Sequence, residues 1–129
     1  MSTLRTNALE GVDAKNSITI VAGAGNITTT NVQEGLAKCW VSFDGTGTPA
    51  TNDSFNLSSI TDNSTGNYDA NFTNAMNSTN FAHVSTCRSE VSRSLNVTST
   101  SKCTVQTEDD SFNVEDASAI FIAVFGDLA

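Results

Sequence analysis

Residues 37–80 read AKCWVSFDGTGTPATNDSFNLSSITDNSTGNYDANFTNAMNSTN. Cys39, Val41 and Phe43 alternate with polar Ser42, and Asp44-Gly45-Thr46-Gly47 then breaks the run. Phe55 and Leu57 alternate with Asn56 and Ser58. Asp62-Asn63-Ser64-Thr65-Gly66-Asn67 is a reversal, and Tyr68, Ala70 and Phe72 alternate with Asp69 and Asn71. Successive side chains of a strand point to opposite faces. Apolar–polar alternation bounded by Gly, Asn and Asp therefore marks half-buried strands joined by tight turns. The stretch predicts three strands and two turns.

The same reading extends in both directions. Downstream, Phe81–Ser85 reads as a strand and Arg88-Ser89-Glu90 as a turn. Val91, Leu95 and Val97 alternate with polar residues, with Arg93 on the apolar phase, where it is expected to snorkel or pair with an acid. Cys103, Val105 and Thr107 form another strand. Glu108-Asp109-Asp110 is an acidic loop, and Phe112 and Val114 begin a short edge. Ala119–Phe125, AIFIAVF, is apolar on both faces, as a strand covered on both sides would be. In an oligomer, one face would pack in its own core and the other on a neighbour. Upstream, Ser17–Val21 is a short strand and Ala22–Asn26 a loop. Thr28–Lys38 carries a helix signal of about one and a half turns, with Asn31 and Glu34 as a capping box. Residues 1–16 are polar and unpatterned, an anchoring arm or a frayed end. The expected fold is all-β, a compact antiparallel β-sandwich or jelly-roll-like module, with one short helix before the first core strand. The expected parts are residues 1–36 and residues 37–129.

Composition narrows the function. Ser, Thr and Asn supply more than a third of the 129 residues, which suits strands and turns. The formal charge is −8, from fourteen acids against six bases, and no Lys or Arg occurs between Cys39 and Cys87. A nucleic-acid partner requires the opposite balance, and an anionic membrane surface is disfavoured for the same reason. The first residues lack the apolar core of a secretory signal, and no run reaches membrane-spanning length, so membrane insertion is not expected. Cys39, Cys87 and Cys103 are too widely spaced for a metal motif or a disulfide framework and read as reduced thiols.

The central stretch also carries a resemblance. Lys38, Trp40, Val41 and Phe43–Thr48, then Asp53–Tyr68, then Asn71–Met76 form the string K-x-W-V-x-F-D-G-T-G-T … D-S-F-N-x-S-S-I-T-D-N-x-T-G-x-Y … N-F-T-x-A-M. It resembles a module of bacteriophage virion proteins, including tail-fibre and tail-tip proteins of marine phages and prophages. About a third of the chain is covered closely, and Ile120–Asp127 more loosely. Cys39 stands where a small residue such as Ala is expected, and Pro49-Ala50-Thr51-Asn52 replaces an apolar-then-Arg segment. The resemblance implies a virion structural protein assembled in the bacterial host cytoplasm, a homotrimer in contact with other virion proteins. The first expectation is a tail-fibre or tail-appendage tip that meets the host surface. The alternative is a capsid decoration protein or head fibre held through its N-terminal arm.

No catalytic constellation is expected. The single His83 lacks a nucleophile motif and reads as structural; three copies on a threefold axis could otherwise hold an ion. Asp44 and Asp62 sit in turns, where Asp is ordinary turn chemistry. The acids of residues 108–116 lack a calcium-loop spacing. A small hydrolase or lyase acting on host polysaccharide has no residues to support it, and no metal or cofactor is expected. The candidate surface-recognition residues, offering hydrogen bonds to host glycan, are Asp44, Thr46, Asn52, Asp62, Asn63, Asn67 and Asn77. Trp40 and Tyr68 are candidates for stacking on a sugar ring, though Trp40, beside an apolar strand phase, reads more readily as core or intersubunit packing. The candidate trimer contacts are Leu36, Trp40, Ile120, Ile122 and Val124.

Overall fold

The computed structural model describes residues 19–22, 28–88 and 91–129. The expected arm (residues 1–16), the loop after the first strand, the Asn31–Glu34 side-chain pairing and Ser89-Glu90 lie outside the described residues. The chain divides into two units at Leu36/Ala37. In the first, β1 (Thr19–Ala22) pairs antiparallel with β2 (Thr28–Asn31), and α1 (Val32–Gly35) follows. The expected helix is thus a single turn, because the threonines at its start, β-branched and poor helix formers, join the hairpin.

The second unit is an all-β sandwich of eight strands. These are β3 (Cys39–Asp44), β4 (Ala50–Phe55), β5 (Leu57–Ser64), β6 (Asn67–Phe72), β7 (Ala82–Cys87), β8 (Val91–Ser94), β9 (Lys102–Glu108) and β10 (Ile120–Phe125). They form two antiparallel sheets, ordered β4-β3-β10-β7 and β5-β6-β9-β8. The core follows the alternation. Cys39, Val41 and Phe43 face Tyr68, Ala70 and Phe72, with Cys103, Val105, Ile120, Ile122 and Val124 completing it. Phe43 meets Tyr68 edge-on at 5.4 Å, and Phe72 meets Phe81 at 5.7 Å.

One strand of the sequence reading is two strands. Phe55 and Leu57 belong to different sheets, because Asn56 between them adopts φ 56° and turns the chain from β4 into β5. Asn tolerates the left-handed region better than most residues. Its side chain then fixes the corner, donating to the carbonyls of Lys38 (2.9 Å) and Asn74 (3.0 Å). The opposite side of the sandwich closes where β7 meets β8. Ser94 Oγ donates to the His83 carbonyl at 3.2 Å, and His83 Nε2 lies 3.3 Å from the Thr104 carbonyl. His83 is therefore half-buried against a strand of the opposing sheet, which takes it away from any outward-facing axial site.

Candidate functional site

The two sheets present outer faces of opposite character. Over β5-β6-β9-β8 the face is polar and bonded to itself. Asp69 is 5% exposed, and its carboxylate accepts from Lys102 Nζ (2.7 Å) and Thr104 Oγ1 (2.6 Å). Burial alone would raise its pKa; the bonds from Lys102 and Thr104 outweigh it, and the pKa is lowered. Asn71 Nδ2 donates to Thr61 Oγ1 at 2.9 Å. Glu108, also buried, accepts from Gln106 at 2.6 Å through Oε1. Arg93 Nη2 stands 2.8 Å from Glu108 Oε2 as an ion pair, without an aligned hydrogen bond on that oxygen. Arg93 thus pairs with an acid, as its phase predicts.

Over β4-β3-β10-β7 the face is apolar. Phe55 pairs with Trp40, Trp40 with Ala123, and Ala123 with Val84, one in-register row across all four strands. Phe121 and Phe125 extend it along β10. Trp40, Phe55, Val84, Phe121 and Phe125 are 36–57% exposed. An open cavity of about 290 Å³ lies here, lined by Val84, Ser85, Thr86, Phe121 and Ala123.

The expected assembly residues are corrected by this geometry. Trp40 is on the outer face, and Leu36, in the first unit, is 57% exposed. Ile120, Ile122 and Val124 are at most 3% exposed and belong to the chain's own core, so they cannot meet a neighbour. The outward phase of β10 is Phe121, Ala123 and Phe125. Strand β10 alone cannot reveal this, since both phases are apolar. The one-sided β3, with Cys39, Val41 and Phe43 inward, fixes it through its pairing with β10. Tyr68 is also corrected: it is fully buried and unavailable to a sugar.

All but one of the candidate recognition residues fall at the two ends of the sandwich. Gly45 N donates to the Ala117 carbonyl (2.9 Å) and Gly66 N to Asp116 Oδ1 (2.6 Å). The Tyr68 hydroxyl donates to Asp116 Oδ1 at 2.5 Å, with the Gly45 carbonyl 3.0 Å away. Burial, first, and the neighbouring Asp116 carboxylate raise the Tyr68 pKa above its ordinary value. These bonds gather Asp44, Thr46, Asp62, Asn63 and Asn67 at one end. There the Thr46 hydroxyl and N–H bind Asp44 and lower its pKa, and Asn63 donates to Asn67 at 3.0 Å. Asn52 is in β4, at the irregularity where Ser42 pairs with Asp53 but Phe43 with Thr51. Asn77, bonded to the Asp127 carbonyl at 2.8 Å, is at the other end, beyond the Asn56 corner.

The segment after β9 joins the first end, a placement the linear sequence does not announce. Asp109 accepts from Ser111 N and Asn113 N, both at 2.8 Å, and closes a turn. At its tip Phe112 holds φ 64°, 66% exposed, with the Arg93 guanidinium 5.6 Å from its ring centre. Asp109 and Asp116 spend their oxygens on the fold, and no group of three or more His, Cys, Asp or Glu among the described residues could hold a metal ion. No described helix is long and apolar enough to cross a membrane. Cys39 and Cys103 are buried free thiols, their pKa values pushed up to about 11 and about 12, chiefly by burial.

The geometry of the described residues defines a class: an antiparallel β-sandwich with one polar outer face bonded to itself and one exposed aromatic outer face. Comparison with known protein families, characterised proteins and solved structures finds no match to the chain.

Proposed function

We propose that the chain is a non-enzymatic structural protein of a bacteriophage virion, a homotrimeric module at the tip of a tail fibre or tail appendage that contacts the host surface. One observation carries the assembly part of this reading. An acidic chain that bonds nearly every polar group of one outer face leaves an in-register aromatic row open on the other. Large contiguous apolar patches mark interaction sites. The phage context rests on the resemblance of Lys38–Thr48, Asp53–Tyr68 and Asn71–Met76 to virion modules. The polar end that gathers Asp44, Thr46, Asp62, Asn63 and Asn67 offers hydroxyl, amide and carboxylate groups suited to host glycan. On this reading the protein is assembled in the bacterial cytoplasm and resides in the virion.

The division at Leu36/Ala37 favours one alternative within the same class, a capsid decoration protein or head fibre attached through its first unit. Immunogold labelling of particles with an antibody to this chain tests both. Label at the tail or its fibres is the expected result. Label spread over the head replaces the tip role with decoration, and unlabelled particles overturn the virion reading.

A further inference from the structure

Resting on the virion reading, we propose that copies of this chain assemble through the outer face of β4-β3-β10-β7, with the acidic β4 edge of one copy against the basic β7 edge of the next. The patch is large enough to contribute to self-association. Scaling about 200 Å² per aromatic side chain by the observed exposures, with Val84 added, gives roughly 400 Å² of open apolar surface. A stable interface buries about 800 Å² per partner, a little over half of it apolar. A ring shares this patch between the two junctions each copy makes, so each junction receives roughly 200 Å² of open apolar surface and the rest of its contact falls to the polar rim.

The face also carries a charged rim. Asp53, on the outermost strand, pairs with Ser42 in the outward row that continues to Phe121 and Thr86. At the opposite edge, Arg88 continues the β7–β10 ladder through its N–H to the Ala119 carbonyl at 2.9 Å and is exposed. Arg88 lies two residues beyond Thr86, so it falls on the same outward phase. Asp53 marks one edge and Arg88 the other; between them the face carries one acid, Asp44 at the end of β3, whose carboxylate is bonded to Thr46. Around a threefold axis, each β4 edge meets the next copy's β7 edge, and the contact closes into a ring.

Charge also selects the occupant. The chain carries −8 overall, so two copies repel wherever acids face acids. This face carries only Asp44 and Asp53 as acids, and Arg88 at the opposite edge offers one opposite-charge pair per junction. An anionic membrane finds no basic cluster here, and a glycan finds few hydrogen-bond donors around the aromatic row.

The test is the solution mass of the full chain by light scattering across micromolar concentrations. The wild type is expected near three times its 13.5 kDa chain mass. Trp40 is the single tryptophan, so its emission should move to shorter wavelength as the chain assembles. F121D, at an exposed position, should keep the wild-type circular dichroism and weaken assembly roughly a hundredfold. D53R and R88E should each weaken it roughly five-fold, and D53R with R88E together should restore it. An F121D protein with unchanged mass overturns the face, and a double variant that fails to recover overturns the edge pairing. A wild-type monomer that still labels particles overturns self-association and leaves the virion reading intact. A trimer that labels no particle does the reverse.

Discussion

Asn56 Oδ1 accepts the Asn74 backbone N–H at 2.8 Å, and the Asn74 side-chain amide reaches the same oxygen at 3.1 Å. With its own Nδ2 bound to the Lys38 and Asn74 carbonyls, this one amide joins the start of β3, the β4–β5 corner and the segment after β6. Two independent demands therefore meet at residue 56, a left-handed backbone and an amide with both a donor and an acceptor end.

Substitution separates the two demands. N56G keeps the backbone freedom and loses the side-chain bonds, at a cost of about 2 kcal/mol. N56A loses the bonds and adds left-handed strain, at about 3 kcal/mol. N56D keeps the acceptor but turns a carboxylate oxygen toward two carbonyls, and should fall no better than N56A. Denaturant unfolding ranks them. Equal stability for N56G and the wild type would mean that the corner is held by packing alone.

The Asn56 corner also marks where the sequence stops being legible. Alternation placed Cys39–Phe43 and Tyr68–Phe72 correctly, because the apolar phase of each turns into the core, even though Asp69 on the other face of β6 is also covered. Phe55-Asn56-Leu57 alternates just as well, yet the period-two pattern cannot distinguish one strand from two strands meeting at a corner. The outward phase of β10 was hidden for a related reason: Phe121 and Phe125 are as apolar as Ile120 and Ile122, and only pairing decides which set is covered. The candidate recognition end is half legible. Turn chemistry marked Asp44–Gly47 and Asp62–Asn67, but the 109–117 segment reaches them through tertiary bonds from Asp116 and Ala117.

Two glycines are fixed by close approach. A Cβ on Gly66 would stand 2.6 Å from the Thr107 carbonyl and 2.7 Å from the Glu115 carbonyl, at φ +62°. A Cβ on Gly45 would stand 2.7 Å from the Tyr68 hydroxyl and 2.9 Å from Ile120 Cδ1. Backbone yields less readily than side-chain ends, so G66A is expected to cost about 3 kcal/mol or more and G45A about 2 kcal/mol. Thermal unfolding of both variants checks the order. A reversed order would place the rigid part of this end at Tyr68 instead of Thr107–Glu115.

Stability should fall in two steps toward acid. Burial lowers the His83 pKa, so its contribution is present above the unfolded value near 6.5 and is lost as the pH drops through the lower folded value. The Asp69 pKa is lowered too, so its contribution is present above the unfolded value near 4 and is lost as the pH falls through the folded one. H83Q should flatten the first step and leave the second. D69N should remove most of the second, with a loss of about 2 kcal/mol at pH 7 as Lys102 loses its acid. Urea unfolding between pH 7 and pH 3 reads both steps, and a first step that survives H83Q would reassign it to the carboxylates.

The three thiols should differ in reactivity. Cys39 and Cys103 are buried with raised pKa values, while Cys87 is half-buried at the end of β7. Thiolate is the reactive form, so iodoacetamide at pH 8 should label the native chain at Cys87 alone and the unfolded chain at all three. Peptide mass spectrometry locates the label. Early labelling of Cys39 or Cys103 would mean that the two sheets part more readily than their packing implies.

Phe112 offers the sharpest division between fold and function at the candidate recognition end. A bulky residue at φ 64° costs about 1–2 kcal/mol, and a ring 66% exposed returns little of it through burial. The Arg93 guanidinium over the ring returns roughly 0.5–1 kcal/mol. F112G removes both the strain and the cation contact, so stability should stay within about 1 kcal/mol of the wild type. F112A keeps the β-carbon in the left-handed region, loses the contact and should be the least stable of the three. If the ring is held outward for the host surface, F112G should keep the solution mass and the unfolding midpoint while adsorption of labelled protein to susceptible cells falls. A loss of about 2 kcal/mol or more in F112G would make the ring structural, and unchanged adsorption would move host contact to the Asp44–Asn67 loops.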